Sequence, residues 1–303
     1  MGDAPTSPEA ASAPPKLGII CGGGALPMRL AEACQQTGRD FHIVRLRGFA
    51  ERGLGDLPGE DVALGEVGTI LKSLNEAGCD EVVLAGTVRR PDFAALRPDW
   101  RGARLLPRVL AAAAKGDGAL LALLVATFEE EGFTIVGADD VMADLLVPSG
   151  PLAGDPPEGE ALSDIVKAAA LIDAIGPFDV GQAAVVCGGH VLAVEAAEGT
   201  DAMLSRCAGF DLEMRGAAGD RRGVLVKRPK PGQERRVDLP TIGARTIDLA
   251  ASAGLAGVAV EAQATLFLDR EEALVRAEQE GLFVYGFTSA DLVAAETLTP
   301  EED

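Results

Sequence analysis

The segment Leu17–Gly24, LGIICGGG, is a wholly apolar run that stops in glycines, and Pro27 to Gln36 then repeats apolar residues at helical spacing. A strand that is apolar at every position has to be covered on both faces, which is the condition of a parallel sheet flanked by helices. The unit recurs as the strand Phe41–Leu46, the helix Val67–Ala77 and the strand Glu81–Ala85, which ends in Gly86-Thr87. A further helix, Ala119–Glu131, leads through Gly132 to the strand Thr134–Val136. The alternation predicts an α/β fold with a parallel sheet in the first half.

A chain of 303 residues exceeds one compact core, since domains cluster at about 100–150 residues, so two domains are expected. The stretch from Pro148 to Glu160, PSGPLAGDPPEGE, has the Pro, Gly and acid content of an exposed connection. The boundary is placed there, with a first domain over 17–150, a linker over 151–162 and a second domain over 163–303. Residues 1–16, small, polar and Pro-rich without a basic start, read as a disordered leader or an expression remnant rather than a signal peptide. The second half offers a helix at Ser163–Ile175 and strands Ala183–Cys187 and Val191–Ala196, joined across Gly188-Gly189 as a hairpin. After these come the strand Gly223–Val226, a helix near Thr246–Ala253, the strand Gly257–Glu261, the helix Arg270–Glu280 and a last strand Leu282–Gly286, a second α/β or α+β unit.

Composition removes several functions. With 27 basic against 47 acidic residues the net charge is −20, which repels a nucleic-acid backbone and leaves an anionic lipid surface open only to a local patch. Five cysteines without a C-x-x-C pair point to a reducing, cytoplasmic compartment. Two histidines, His42 and His190, are too few and too far apart for a zinc site or a Ser-His-Asp triad. The longest apolar stretch, Ala119–Phe128, is about half the 18–20 residues of a membrane span.

Three constellations can carry chemistry. The turn Gly22-Gly23-Gly24 before a helix lets backbone amides approach an anion. The dinucleotide fingerprint fails there because Pro27 stands at the third glycine, although Arg45 and Arg47 after the next strand suit a 2′-phosphate and keep an NAD(P)-dependent oxidoreductase as an alternative. The run Arg221–Arg236, RRGVLVKRPKPGQERR, groups cations where a polyanion is attracted, and it leads directly to Asp238. A carboxylate beside that cluster suits a metal ligand or a water-orienting base, and equally a turn cap. Glu195, Glu198 and Asp201 supply oxygen ligands of the kind Mg²⁺ selects, while Thr200 or Asp201 also fits as the cap of a helix over Ala202–Arg206.

The segments GQAAVV (Gly181–Val186), AVEAAEGTDAML (Ala193–Leu204) and VKRPKPGQERRVDLPTIG (Val226–Gly243), with Gly18–Pro27 and Val83–Pro91, resemble the signatures of the LpxI family, the UDP-2,3-diacylglucosamine pyrophosphatases of lipid A biosynthesis. The resemblance runs from Leu17 to about Gly286 and implies a Rossmann-like N-terminal domain and a C-terminal catalytic domain. It also implies Mg²⁺-dependent attack of water on the diphosphate, at the phosphorus nearer the sugar, giving UMP and lipid X. Asp238 matches the aspartate that the family requires for turnover. On this basis Lys227, Lys230 and nearby arginines are expected at the diphosphate, Gln233 at the substrate, and Asp238, Asp201 and Glu198 at the metal. Gln182, Gly199 and Thr200 are expected at the substrate. Gly23, Gly24, Thr87, Arg89 and Asp117 are candidates for the nucleotide or sugar. The family pattern is departed from at Glu234, where an aspartate is usual. An acylated UDP-sugar implies transient contact with the inner-leaflet surface, with Leu105–Ala114 a core helix that doubles as a candidate for that contact; a homodimer is compatible with all of this. A non-catalytic nucleotide-sugar or lipid carrier needs the same pocket and is the second alternative.

Overall fold

The structure is a computed structural model that describes residues 14–298, so most of the leader expected over 1–16 lies outside the described residues. The chain forms two compact units, one of residues up to Pro107 with Val125–Val136, the other of Arg108–Leu124 with the residues from Gly137 onward.

The first unit is built on β1 (Leu17–Cys21), α1 (Leu26–Thr37), β2 (Phe41–Leu46), β3 (Gly59–Val62), α2 (Val67–Glu76) and β4 (Glu81–Ala85). The helices α3 (Trp100–Ala113) and α4 (Asp117–Glu130), each contributing to both units, and the short β5 (Thr134–Ile135) complete this half of the chain. Its sheet has the order β3-β2-β1-β4-β5 with every pairing parallel, as the apolar runs predict. All five residues of the central β1 are buried. The edge strand β3, GEDV, was not legible in the sequence because only one of its residues is buried and it carries two acids. The helix α1 stops where Gly38 turns left-handed, at φ 70°, and donates its amide back to the last turn.

The second unit contains α5 (Ala138–Val141), β6 (Gly150–Ala153), α6 (Gly159–Ile175), β7 (Ala183–Cys187), β8 (His190–Val194), α7 (Gly199–Cys207) and β9 (Val224–Lys227). It continues with β10 (Thr241–Ile242), α8 (Ala244–Ser252), β11 (Gly257–Glu261), β12 (Leu266–Phe267), α9 (Arg270–Glu280), β13 (Phe283–Phe287) and α10 (Ser289–Leu298). Six strands form a mixed sheet in the order β6-β13-β11-β9-β7-β8, parallel across β9, β11 and β13 and antiparallel at both sides, while β10 and β12 make a separate parallel pair. Alternation along β7 divides the core: Ala183 and Val185 pack with Met203, Ile247 and Ala277, whereas Ala184 and Val186 pack with Ile165, Ala169 and Ile172 of α6.

One expectation changes here. The stretch 151–162 is not a free linker, since β6 pairs with β13 and α6 already starts at Gly159. Pro151 is tolerated because β6 is an edge strand. The β7–β8 hairpin turns across Gly188 and Gly189, both at positive φ, and the buried Asp164 of α6 accepts their amides at 3.0 and 2.7 Å. The helix α10 after the last strand was not read from the sequence.

Candidate active site

The strand β9 ends in Lys227, which is only 5 % exposed. A lysine at the end of a central, wholly buried strand has to find its partners inside. Its Nζ donates to Thr200 Oγ1 and to the Thr241 carbonyl, both at 3.0 Å. Thr200 in turn donates to Glu195 Oε1 at 2.7 Å, and the other oxygen of this buried carboxylate accepts the Gln182 amide at 2.9 Å. Burial pulls the Lys227 pKa below the usual lysine value, against the opposing charges of Glu195, Asp201 and Asp238. Lys227, expected at the diphosphate, is thus an interior cation behind the site. Thr200 and Asp201 sit within the first turn of α7, which begins at Gly199 with φ 80°, so neither caps a helix.

Asp238 follows a tight turn in which the Val237 and Asp238 amides both donate to the Glu234 carbonyl, at 3.3 and 3.2 Å. The Gln233 side chain locks this turn: its Oε1 accepts the Lys230 amide at 2.7 Å, and its Nε2 donates to Gln182 Oε1 at 3.2 Å and to the Asp238 carbonyl. Burial pushes the Asp238 carboxyl above the ordinary carboxylate range. The Lys230 charge and the hydrogen bond from Gln233 oppose this, while Asp179 and Asp117 add to it. Lys230 itself is paired with Asp179, Nζ to Oδ1 at 2.5 Å.

Asp179 was missed in the sequence. It ends the short turn Gly176–Phe178 in the left-handed region, at φ 55°, and its carboxylate also accepts the Gly118 amide at 3.2 Å and the Asp117 amide. Burial works to raise this carboxyl, but the Lys230 bond and the two amides at the start of α4 outweigh it and hold it below the usual range. Two neighbouring carboxyl groups are therefore driven in opposite directions, a pattern that separates a reacting group from a fixed counter-charge. A non-glycine residue held at positive φ costs energy that surrounding bonds must sustain, and here three do so. Nothing local marks Asp179, because its partners lie some 51 and 61 residues away in the chain.

The cationic run is mostly neutralised from within. Arg228 pairs with Asp173 and Glu261, Arg236 with Glu234, Arg221 with Glu280 and Arg222 with Asp220. Arg235 is exposed and, with Arg228, Lys230 and Gln233, lines a pocket of about 240 Å³. Asp173 and Glu261 line the same pocket, each paired with Arg228, while Glu234, where the family has an aspartate, is held by Arg236. Of the expected metal ligands, Glu198 pairs with Arg206 at 2.9 Å and Asp201 with Arg245. Among the described residues no group of three His, Cys, Asp or Glu side chains converges, so Glu198 and Asp201 do not fit a common site with Asp238.

In the first unit the glycine turn is stitched to the end of β4. The Gly22 amide donates to Ala85 at 2.8 Å, Gly23 and Thr87 exchange two bonds of 2.9 Å, and Gly24 donates to Glu51 Oε1 at 3.3 Å. Gly86, at φ 87°, approaches Gly23 so closely that a Cβ would stand 2.4 Å from its carbonyl oxygen. The amides expected to receive an anion are thus occupied, one of them by a carboxylate. Arg45 is paired with Asp61 and Arg47 with Glu66, which removes the cations that suited a 2′-phosphate. Thr87 and Arg89 are exposed beyond the turn.

Comparison with known proteins matches residues 16–145 to the LpxI N-terminal domain and residues 148–285 to the LpxI C-terminal domain. UDP-2,3-diacylglucosamine pyrophosphatase LpxI of Caulobacter vibrioides is 54 % identical over 271 residues, covering 89 % of this chain and 97 % of that protein. The interior placement of Lys227 has a measurable consequence. Lys227→Met strands the buried Glu195 and should lower the unfolding free energy by about 3 kcal/mol, read from the urea midpoint; an unchanged midpoint means that the ammonium is solvated and open to ligand.

Proposed function

The chain belongs to the LpxI family, and from that premise we propose that it hydrolyses UDP-2,3-diacylglucosamine to UMP and 2,3-diacylglucosamine 1-phosphate, with Asp238 acting at the reacting phosphorus. The observation that carries this reading is the state of Asp238: a half-buried carboxyl with raised pKa, on a turn locked by Gln233, within reach of the Lys230 charge.

In the reaction a water oxygen forms a bond to the phosphorus nearer the sugar, the P–O–P bridge breaks, and UMP leaves. Phosphoryl transfer asks mainly for positioning and for neutralisation of charge. In this reading Lys230 and Arg235, which line one pocket, meet the diphosphate oxygens, and Asp179 holds the Lys230 ammonium until they arrive. Asp238 orients the attacking water or shares a cation with the diphosphate. Lys227 acts behind them, fixing the chain just after Asp238 through the Thr241 carbonyl.

Mg²⁺ usually binds through one or two carboxylates together with substrate phosphates, and Asp238 would be the carboxylate that holds it here. There the ion would supply neutralisation of the diphosphate charge. Because the acyl chains hold the substrate in the inner leaflet, the protein is read as cytoplasmic and as a visitor to the membrane surface. Among the described residues no helix is long and apolar enough to cross a membrane.

A carrier with the same pocket gives no turnover, so release of UMP from UDP-2,3-diacylglucosamine separates the two. Asp238→Ala should reduce that release by about a thousandfold with folding intact; a variant that turns over at the wild-type rate refutes the assignment. Exhaustive dialysis against EDTA should abolish activity and Mg²⁺ should restore it, whereas full activity in the dialysed protein removes the metal.

A further inference from the structure

The helix α3, WRGARLLPRVLAAA, has an outer face with two different flanks. Gly102, Leu105 and Ala113 are buried on its inner side. At 3.6 residues per turn, Arg101, Arg104 and Arg108 follow one another along one outer flank, and all three are exposed. Trp100, Ala103, Pro107 and Leu110 repeat the same spacing along the other, with Trp100 76 % and Leu110 46 % exposed. Large aromatic residues are seldom left in water without a partner surface, and this one stands at the head of an apolar row.

Charge sharpens the contrast. Between residues 97 and 115 the chain carries Arg97, Arg101, Arg104, Arg108 and Lys115 against Asp99 alone, in a molecule whose net charge is −20. The Asp99 carboxylate is already engaged by the amides of Thr69 and Gly102. Arg101 pairs with Glu131, whereas Arg97 and Arg104 make no ion pair with another described residue. A helix with a basic flank beside an apolar flank bearing tryptophan is the form that lies in a lipid–water interface, and anionic headgroups are the one large surface that matches both. Nucleic acid matches the arginines, but the net charge of −20 repels the rest of its backbone.

We propose that the outer face of α3 is the surface by which this protein docks on an anionic lipid bilayer, with Trp100 and Leu110 entering the interface and Arg97 and Arg104 meeting the phosphate headgroups. The inference rests on the reading of an acylated, membrane-held substrate and names the surface that reaches it.

Trp100 is the only tryptophan in the chain, so its fluorescence reports on this face alone. Vesicles of phosphatidylglycerol mixed with phosphatidylcholine should shift its emission to the blue, and phosphatidylcholine vesicles should not. The double variant Arg97→Glu with Arg104→Glu should bind the mixed vesicles at least tenfold more weakly, since each basic residue near such a surface is worth about fivefold. Trp100→Ala should sediment with them less, and both variants should keep wild-type turnover of substrate dispersed in detergent. No blue shift, an equal shift with neutral vesicles, unaltered binding by the charge variant, or a shift with RNA in place of vesicles overturns the proposal. A protein that binds vesicles but releases no UMP sinks the hydrolase alone, and one that releases UMP from micelles but ignores vesicles sinks the docking surface alone.

Discussion

One buried ammonium organises the second unit around the site. Lys227 reaches Thr200 at the start of α7 and the Thr241 carbonyl just after Asp238, and through Thr200 it touches Glu195 at the end of β8. Taking an ion out of water costs several kcal/mol even after relaxation, so a buried lysine persists only where its partners are held in place. The same requirement works outward: the segments that satisfy Lys227 are the segments that carry Gln182, Thr200 and Asp238. The back of the site is thereby fixed by electrostatics before any ligand arrives.

The front is fixed by amide and carboxylate contacts instead. Gln233 joins the Lys230 backbone, the Gln182 side chain and the Asp238 carbonyl, and Asp179 joins Lys230 to the first amides of α4. The cationic run therefore does not form a broad positive field. Its charges are mostly balanced by Asp173, Glu261, Glu234, Glu280 and Asp220, which leaves Lys230 and Arg235 on a small pocket that Asp173 and Glu261 also line. Balanced in this way, the run does not attract polyanions over the whole surface of an otherwise acidic protein.

What the sequence disclosed follows from which interactions are local. The parallel sheet was legible because β1, β2 and β4 are nearly continuous apolar runs, and β7 and β9 were legible for the same reason. The strands β3 and β6 were not, since edge strands need little apolar surface and tolerate acids and proline. Asp238, Lys230, Gln233 and Gln182 were singled out through the segments that hold them, and the Gln233 side chain brings the four together. The direction of Lys227 was misread although the apolar run VLVK in front of it signals a central strand, whose end points inward as readily as outward. Three acids close in sequence between Glu195 and Asp201 suggested a metal site, but one turns to the interior while the other two meet arginines on the surface. Asp179 depends on a left-handed turn and on partners distant in the chain, and no pattern of spacing could have singled it out.

The central claim is that desolvation of Asp238 leaves it a carboxyl that gives up its proton less readily than an ordinary aspartic acid, and that its ionised form acts in the reaction. The direct measurement is the pH dependence of kcat/KM, which reports groups in the free enzyme. Because the folded-state pKa is raised, activity should be complete well above it and should fall on acidification at a pH clearly above the ordinary aspartate value of about 3.9, with circular dichroism showing the protein still folded. Activity that stays constant down to that ordinary value in folded protein would contradict the account.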